Sequence, residues 1–282
     1  GRNRSFYGKI MTFIQYQGAP LYYQITGGPS LLPPLVLLHG FLEYSRMWDG
    51  MISHFESKGL VVCIDLLGHG KSGSLSSNHS MEKMAETVFA IVHHLELQKP
   101  IILGHSMGGY VGLAYAQNYD QLGGLGLFFS TPHADSSERK IMRDRSEKLV
   151  RSYKDAFIRT AIPQLFSEEL RATCSKQISQ QIEYSLEMNV EGVIEAIRGI
   201  KIRSDKTPIL EQPPQALEPN KIGVFVGETD TIVPFEKTKD WINLPGIGFK
   251  FVSKHGHMGH ISDTLNCTKA VIQWWSSFES KN

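Results

Sequence analysis

Six short runs in this chain of 282 residues are apolar along nearly their whole length: LVLL at 35–38, VVCI at 61–64, IIL at 101–103, LGLFF at 125–129, IGVFV at 222–226 and FKFV at 249–252. A strand with one face in water alternates polar and apolar residues. Unbroken runs belong to strands covered on both faces, the situation of a parallel sheet sandwiched between helices. Two further strands are expected before them, at 13–16 and 21–25. Helical periodicity fills the intervals, most clearly at Met81, Met84, Ala85, Val88, Val92 and Leu95, with Ser80 placed to cap. A last helix is expected from near Asp263, burying Val271, Ile272, Trp275 and Phe278. Strand–helix alternation of this kind predicts an α/β protein with a doubly wound, mostly parallel sheet.

The alternation breaks once. From Pro132 to about Glu218 the periodicity is helical and no strand pattern occurs, after which TPILEQPPQALEP, with four prolines, leads back to the sheet. The reading is a core at 1–131 and 219–282 with a helical lid inserted at 132–218. Composition agrees with one large domain: 41% hydrophobic and 20% charged residues. A net charge of +1 without runs of like charge gives no reason to expect nucleic acid. No stretch approaches the roughly 20 apolar residues of a membrane span, so no membrane partner is expected. Cys63, Cys174 and Cys267 are odd in number and scattered, which suits reduced thiols and a cytoplasmic protein. The chain opens on Gly1, with Met11 a candidate natural start.

The chemistry concentrates where strands end. After the third apolar run comes GHSMGG, a G-x-S-x-G frame in which Ser106 stands between Gly104 and Gly108. Small neighbours are needed when a serine is forced onto a tight strand-to-helix turn, so Ser106 is the candidate nucleophile. A serine hydroxyl needs a base, a carboxylate to orient that base, and donors for the oxyanion that forms. Three histidines, His255, His257 and His260, follow the last strand in KHGHMGH, and Asp230 follows the preceding one in GETD. Asp135, after the strand at 125–129, is a rival acid. The loop HGFLEYS after the first long run offers the backbone N–H of Phe41, to pair with that of Met107. HGHMGH also has the look of a zinc motif, but no acidic or cysteine ligand stands at the needed spacing, so no metal and no cofactor are expected.

Taken together, His39-Gly40-Phe41, DLLGHGKS at 65–72, GHSMGG, and GETDTIVP through GHMGH resemble the α/β-hydrolase superfamily, in its lid-bearing branch of small esterases, lactonases and carbon–carbon bond hydrolases. The resemblance covers nearly the whole chain. It implies a Ser106–His257–Asp230 triad, since the catalytic histidine of that branch usually follows a glycine as His257 follows Gly256. It makes His260 a departure, because relatives tend to carry an apolar residue there. His39 is expected to shape the oxyanion loop, Asp65 and His69 to make structural hydrogen bonds, and His105 to pack. Serine at the elbow sets the chain apart from haloalkane dehalogenases and epoxide hydrolases, which carry aspartate. His39-Gly40-Phe41-Leu42 differs from the Gly-Gly-Pro-Gly loop of proline iminopeptidases. The expected activity is hydrolysis of a small, largely apolar carboxylic ester through an acyl-enzyme. Carbon–carbon or lactone hydrolysis is the alternative within enzymes, and a small-molecule receptor the alternative outside them. Met142, Phe157, Ile162, Phe166 and Met188 are the lid residues from which the pocket lining is expected.

Overall fold

A computed structural model describes residues 8–76, 79–215, 217 and 220–279; the expected lid boundary at 218/219 lies outside the described residues. The strands are β1 (Ile10–Tyr16), β2 (Ala19–Thr26), β3 (Leu35–Leu38), β4 (Val61–Ile64), β5 (Ile101–His105), β6 (Gly124–Phe128), β7 (Ile222–Gly227) and β8 (Ile247–Ser253). They form one sheet in the order β1-β2-β4-β3-β5-β6-β7-β8. β2 is antiparallel to both of its neighbours, and every pair from β4 across to β8 is parallel. The six apolar runs fall in β3 to β8.

The reason for their unbroken apolarity is visible in the packing. Val36, Leu38, Val62, Ile64 and Ile102 face α2 (Met81–His94) and α3 (Met107–Asn118), whereas Leu35, Leu37, Cys63 and Leu103 face α1 (Asp49–Glu56) and α11 (Thr264–Ser276). Successive residues of one strand thus enter opposite cores. The Ser80 hydroxyl accepts from Lys83 N at 3.0 Å and caps α2 as expected. Cys63, Cys174 and Cys267 are buried free thiols. No helix of the described residues is long and apolar enough to cross a membrane.

Between β6 and β7 lie α4 (Ser137–Ala161), α5 (Glu168–Thr173), α6 (Ser175–Leu186), α7 (Val190–Ile202) and α8 (Thr207–Glu211); two short helices, α9 (Phe235–Thr238) and α10 (Gly259–Ser262), follow the later strands. The inserted helices build a core of their own from Val150, Ile158, Ile162, Phe166, Val193 and Ile197, and Leu42 and Met258 reach into it from the loops after β3 and β8. Helix α4 is broken at Tyr153 (φ −143°, ψ 52°), an exposed residue, into two arms. The first arm is tied by ions: Asp144 to Lys201, and Glu147 to Arg198.

The β5–α3 junction is a tight turn. Ser106 has φ 50° and ψ −111°, a region that side-chain-bearing residues avoid unless their surroundings hold them there. The holding groups are Phe128 O, which accepts from Ser106 N at 3.0 Å, and the Ser130 hydroxyl, which donates to Ser106 O at 2.7 Å. A Cβ on Gly104 would overlap the Gly108 carbonyl, and one on Gly108 would sit 2.5 Å from Leu38 O. Both overlaps are with backbone, which cannot swing aside. Gly104→Ala is therefore expected to lower unfolding stability by about 2–3 kcal/mol. Urea denaturation reads this directly, and an unchanged midpoint would mean that the junction can widen.

Candidate active site

The turn after β7 brings Asp230 to the loop after β8. His257 Nδ1–H donates to Asp230 Oδ2 at 3.0 Å, both side chains being buried. The other carboxylate oxygen accepts the N–H groups of Ile232 and Val233, each at 2.8 Å. One oxygen is thus fixed by backbone and the other orients the imidazole, leaving the Nε2 lone pair to act. Ser106, His257, Phe41 and Met107 all line one cavity of about 180 Å³ between the sheet and the inserted helices.

The loop that carries Phe41 is held with unusual rigidity. Leu42 sits at φ 65°, a left-handed conformation. Its N–H donates to His69 Nε2 at 3.3 Å, and its carbonyl accepts from Gln181 Nε2 at 2.8 Å and from the Ser185 hydroxyl at 2.7 Å, both on α6. His39 Nε2 accepts from Leu66 N at 2.9 Å while its Nδ1–H donates to Gly40 O at 2.8 Å. The amides of Gly40, Leu42 and Glu43 are all engaged by protein acceptors. Among the described residues none is recorded for Phe41 N–H or Met107 N–H, the two donors expected for an oxyanion. Burial holds both loop histidines neutral, pushing His39 down to about 4 and His69 down to about 3. Asp65 takes the structural part expected of it, accepting from Ser45 N at 2.8 Å and Lys71 N at 2.9 Å.

His105 departs from the simple packing role its sequence suggests. Its Nδ1–H donates to Glu43 Oε1 at 2.5 Å and its Nε2–H to the carbonyl of His257 at 2.9 Å. With an acceptor at each ring nitrogen the ring is an imidazolium. Burial would raise the Glu43 carboxyl, but the attraction and hydrogen bond of His105 hold it well below the ordinary carboxylate range; the same carboxylate overcomes burial and raises His105. His260 Nε2 lies 3.3 Å from Glu43 Oε2, an electrostatic approach without hydrogen-bond alignment, since neither ring nitrogen of His260 has such a partner among the described residues. Burial pushes His260 down. Glu43, His105 and His260 together have the composition of a metal site. An imidazolium cannot ligate, and His105 Nδ1 is already bonded to Glu43, so the donor set fits a hydrogen-bonded cluster better than an ion. Glu43 was not singled out by sequence reasoning. The signal available was a carboxylate inside an otherwise apolar loop beside the elbow.

The other sequence candidates are placed elsewhere. Asp135 receives Arg143 Nε at 3.0 Å and Arg203 Nη1 at 2.8 Å, and it does not bond His257. Burial would raise Asp135, but the two guanidiniums hold it low. His255 donates its backbone N–H to the Ser253 hydroxyl at 3.1 Å and is outside the cavity lining. Of the five residues of the insertion expected to line the pocket, Phe157 lines the cavity; Ile162, Phe166 and Met188 are buried in the insertion's own core, and Met142 is exposed.

Two outcomes follow for stability. Glu43→Gln leaves a buried imidazolium without its counter-charge and is expected to cost about 3–5 kcal/mol, seen as a lowered denaturation midpoint; a midpoint within experimental error of the parent would mean the pair is dispensable. The second concerns pH. His39 and His69 are neutral when folded, and the unfolded chain takes up protons on them below about pH 6.5. Their depressed values therefore contribute stability that is present above pH 6.5 and is lost as pH falls toward 4. Denaturation midpoints measured from pH 7 to pH 4 should fall, and His39→Gln should flatten the slope; an identical slope would refute the account.

Comparison with known proteins bears on the family and the fold. The family model described as alpha/beta hydrolase fold matches residues 33–263. An esterase from Thermogutta terrifontis superposes with a TM-score of 0.84 at 29% identity, covering 97% of this chain and 100% of that one. The enol-lactonase of Burkholderia xenovorans LB400 superposes with a TM-score of 0.83 at 19% identity, over 94% of this chain and 99% of its own, a likeness of fold. A curated relative from Serratia proteamaculans named "Putative carbamate hydrolase RutD" is 24% identical over 263 residues, 90% of this chain and 95% of its own length. A match of this extent to the family model, on a sheet of this order with a serine at the elbow, makes the chain a member of the α/β-hydrolase family.

Proposed function

We propose that this protein is a serine hydrolase that cleaves a small, largely apolar carboxylic ester through an acyl-enzyme. The observation that carries the reading is the His257–Asp230 hydrogen bond of 3.0 Å, opening on the same cavity as the strained Ser106. Ser106 Oγ attacks the ester carbonyl carbon while His257 Nε2 takes its proton. The carbonyl oxygen, now anionic, is held by the N–H groups of Phe41 and Met107. Collapse breaks the acyl–oxygen bond, and His257 returns the proton to the departing alcohol. Water then repeats the sequence on the acyl-serine, releasing acid and restoring Ser106. Asp230 keeps Nδ1 protonated throughout. No cofactor enters this scheme.

Likeness to the Thermogutta terrifontis esterase at 29% identity supports ester hydrolysis. The helices at 137–211 serve as the lid over the nucleophile, and at about 180 Å³ the cavity is smaller than the 300–1,000 Å³ of a typical drug-sized site, favouring short substrates. A lactone or a carbon–carbon substrate would use the same groups. A receptor on this fold would bind without turnover, and we place the protein in the cytoplasm.

Ser106→Ala is expected to retain the fold and lose about 10⁴-fold or more in kcat/KM on short-chain esters, together with labelling by a fluorophosphonate probe. His257→Ala should be comparably inactive and His255→Ala close to wild type. A Ser106→Ala protein keeping a tenth of the parental rate would rule out this nucleophile.

A further inference from the structure

The cavity around Ser106 is walled mainly by apolar groups such as Phe41, Leu42, Phe157, Leu165 and Ile232, yet Arg143 of the first arm of α4 also borders it. Its guanidinium is held by one bond, Nε–H to Asp135 Oδ2 at 3.0 Å. That carboxylate is shared: its other oxygen accepts from Arg203 Nη1 at 2.8 Å. Two guanidiniums around one buried carboxylate leave one positive charge uncompensated. Arg203 is buried, its Nε donates to His133 O and its Nη1 to Asp135 and Ile200 O, and its guanidinium lies 4.0 Å over the Tyr110 ring. Arg143 is partly exposed, and among the described residues no acceptor is recorded for its Nη atoms. The excess charge is therefore presented at the Nη edge of Arg143. Glu43 borders the cavity too, but its charge is committed to His105. A neighbouring depression that shares Ile232 with the cavity is lined by Arg139, Arg203 and Lys237 against Asp205, so the approach is also cationic.

We propose that Arg143 receives a carboxylate carried by the substrate, so that the substrate class is a small hemiester: an ester whose acyl chain ends in a free carboxylate. The proposal rests on the hydrolase reading above and names its substrate. The two Nη donors in the plane of a guanidinium match the two oxygens of a carboxylate. In a largely apolar cavity such a pairing is stronger than at an exposed surface. At about 20–30 Å³ per non-hydrogen atom, 180 Å³ holds about six to nine such atoms, and monomethyl succinate, with about nine, stands at the upper end of that range. Its hydrolysis adds water across the acyl–oxygen bond and yields a dicarboxylate and an alcohol, with Ser106, His257 and Asp230 acting as described.

The test pairs monomethyl succinate with methyl succinamate, its uncharged isostere. Calorimetry on the Ser106→Ala protein measures binding, and alcohol release by the active protein measures turnover. The hemiester is expected to bind at least tenfold more tightly and to show at least tenfold higher kcat/KM, mostly through KM. In the Ser106→Ala background, Arg143→Gln should abolish that preference while changing amide binding less than threefold, and Arg143→Lys should recover part of it. Equal binding of the two compounds, no binding of the hemiester, or an equal loss of both in Arg143→Gln would overturn the proposal. Preferential binding that depends on Arg143, without turnover of either ester by the parent protein, would retain the carboxylate site and refute the hydrolase reading. Equal turnover of both would do the reverse.

Discussion

One buried ion pair, His105 with Glu43, stands where three loops meet. Glu43 belongs to the loop after β3 and accepts Gly40 N–H at 3.1 Å; His105 closes β5 and precedes Ser106; its second nitrogen holds the carbonyl of His257 from the loop after β8. Loops that arrive from different strands have no intrinsic reason to keep a common register. A charged hydrogen bond in a dry interior supplies one, because every alternative arrangement strands a charge without solvent. Such a pair adds little net stability compared with a well-packed apolar substitute. What it supplies here is a fixed relation between the loop after β3, the turn at Ser106 and the loop that carries His257.

The same loops are fixed by neutral groups. His39 and His69 each use one nitrogen to donate and one to accept, and so act as rigid two-ended braces rather than as charges. The two acids near the cavity divide in the same manner. Asp230 meets two amides and an imidazole, whereas Asp135 meets two guanidiniums. Asp230 is therefore free of cationic partners other than the imidazole it orients, whereas the charge of Asp135 is committed to two arginines.

Much of this was legible before any coordinates. Strands buried on both faces write themselves as unbroken apolar runs, and all eight strands coincide with segments read in that way or by alternation. Gly104 and Gly108 announced the elbow because backbone contact tolerates no side chain. Helical period in the insertion was equally visible, but period identifies a face and not what the face meets. Ile162, Phe166 and Met188 turn inward to other helices of the insertion, and Met142 turns out to solvent. Glu43 escaped notice because a lone glutamate in a loop is ordinarily a solvated one. Its burial is decided by His105, 62 positions away, and a partner at that distance leaves no local pattern.

Ion pairs are concentrated before the break at Tyr153, and the residues that face the cavity apolarly lie after it. Before it, α4 is pinned by Arg143 to Asp135, by Asp144 to Lys201 and by Glu147 to Arg198, and Val150 enters the apolar core of the insertion; beyond it, Lys154 Nζ donates to the carbonyls of Leu186 and Met188, Ile158 packs into the same core, and Phe157 and Ala161 face the cavity. Pairing by specific ions resists replacement, whereas apolar contacts tolerate exchange of size and shape. Because Tyr153 is itself exposed, a change of direction there disturbs little packing. Changes of side chain at Phe157 or Ala161 can therefore resize the chamber over Ser106, while the ion-paired arm keeps the charge of Arg143 in place.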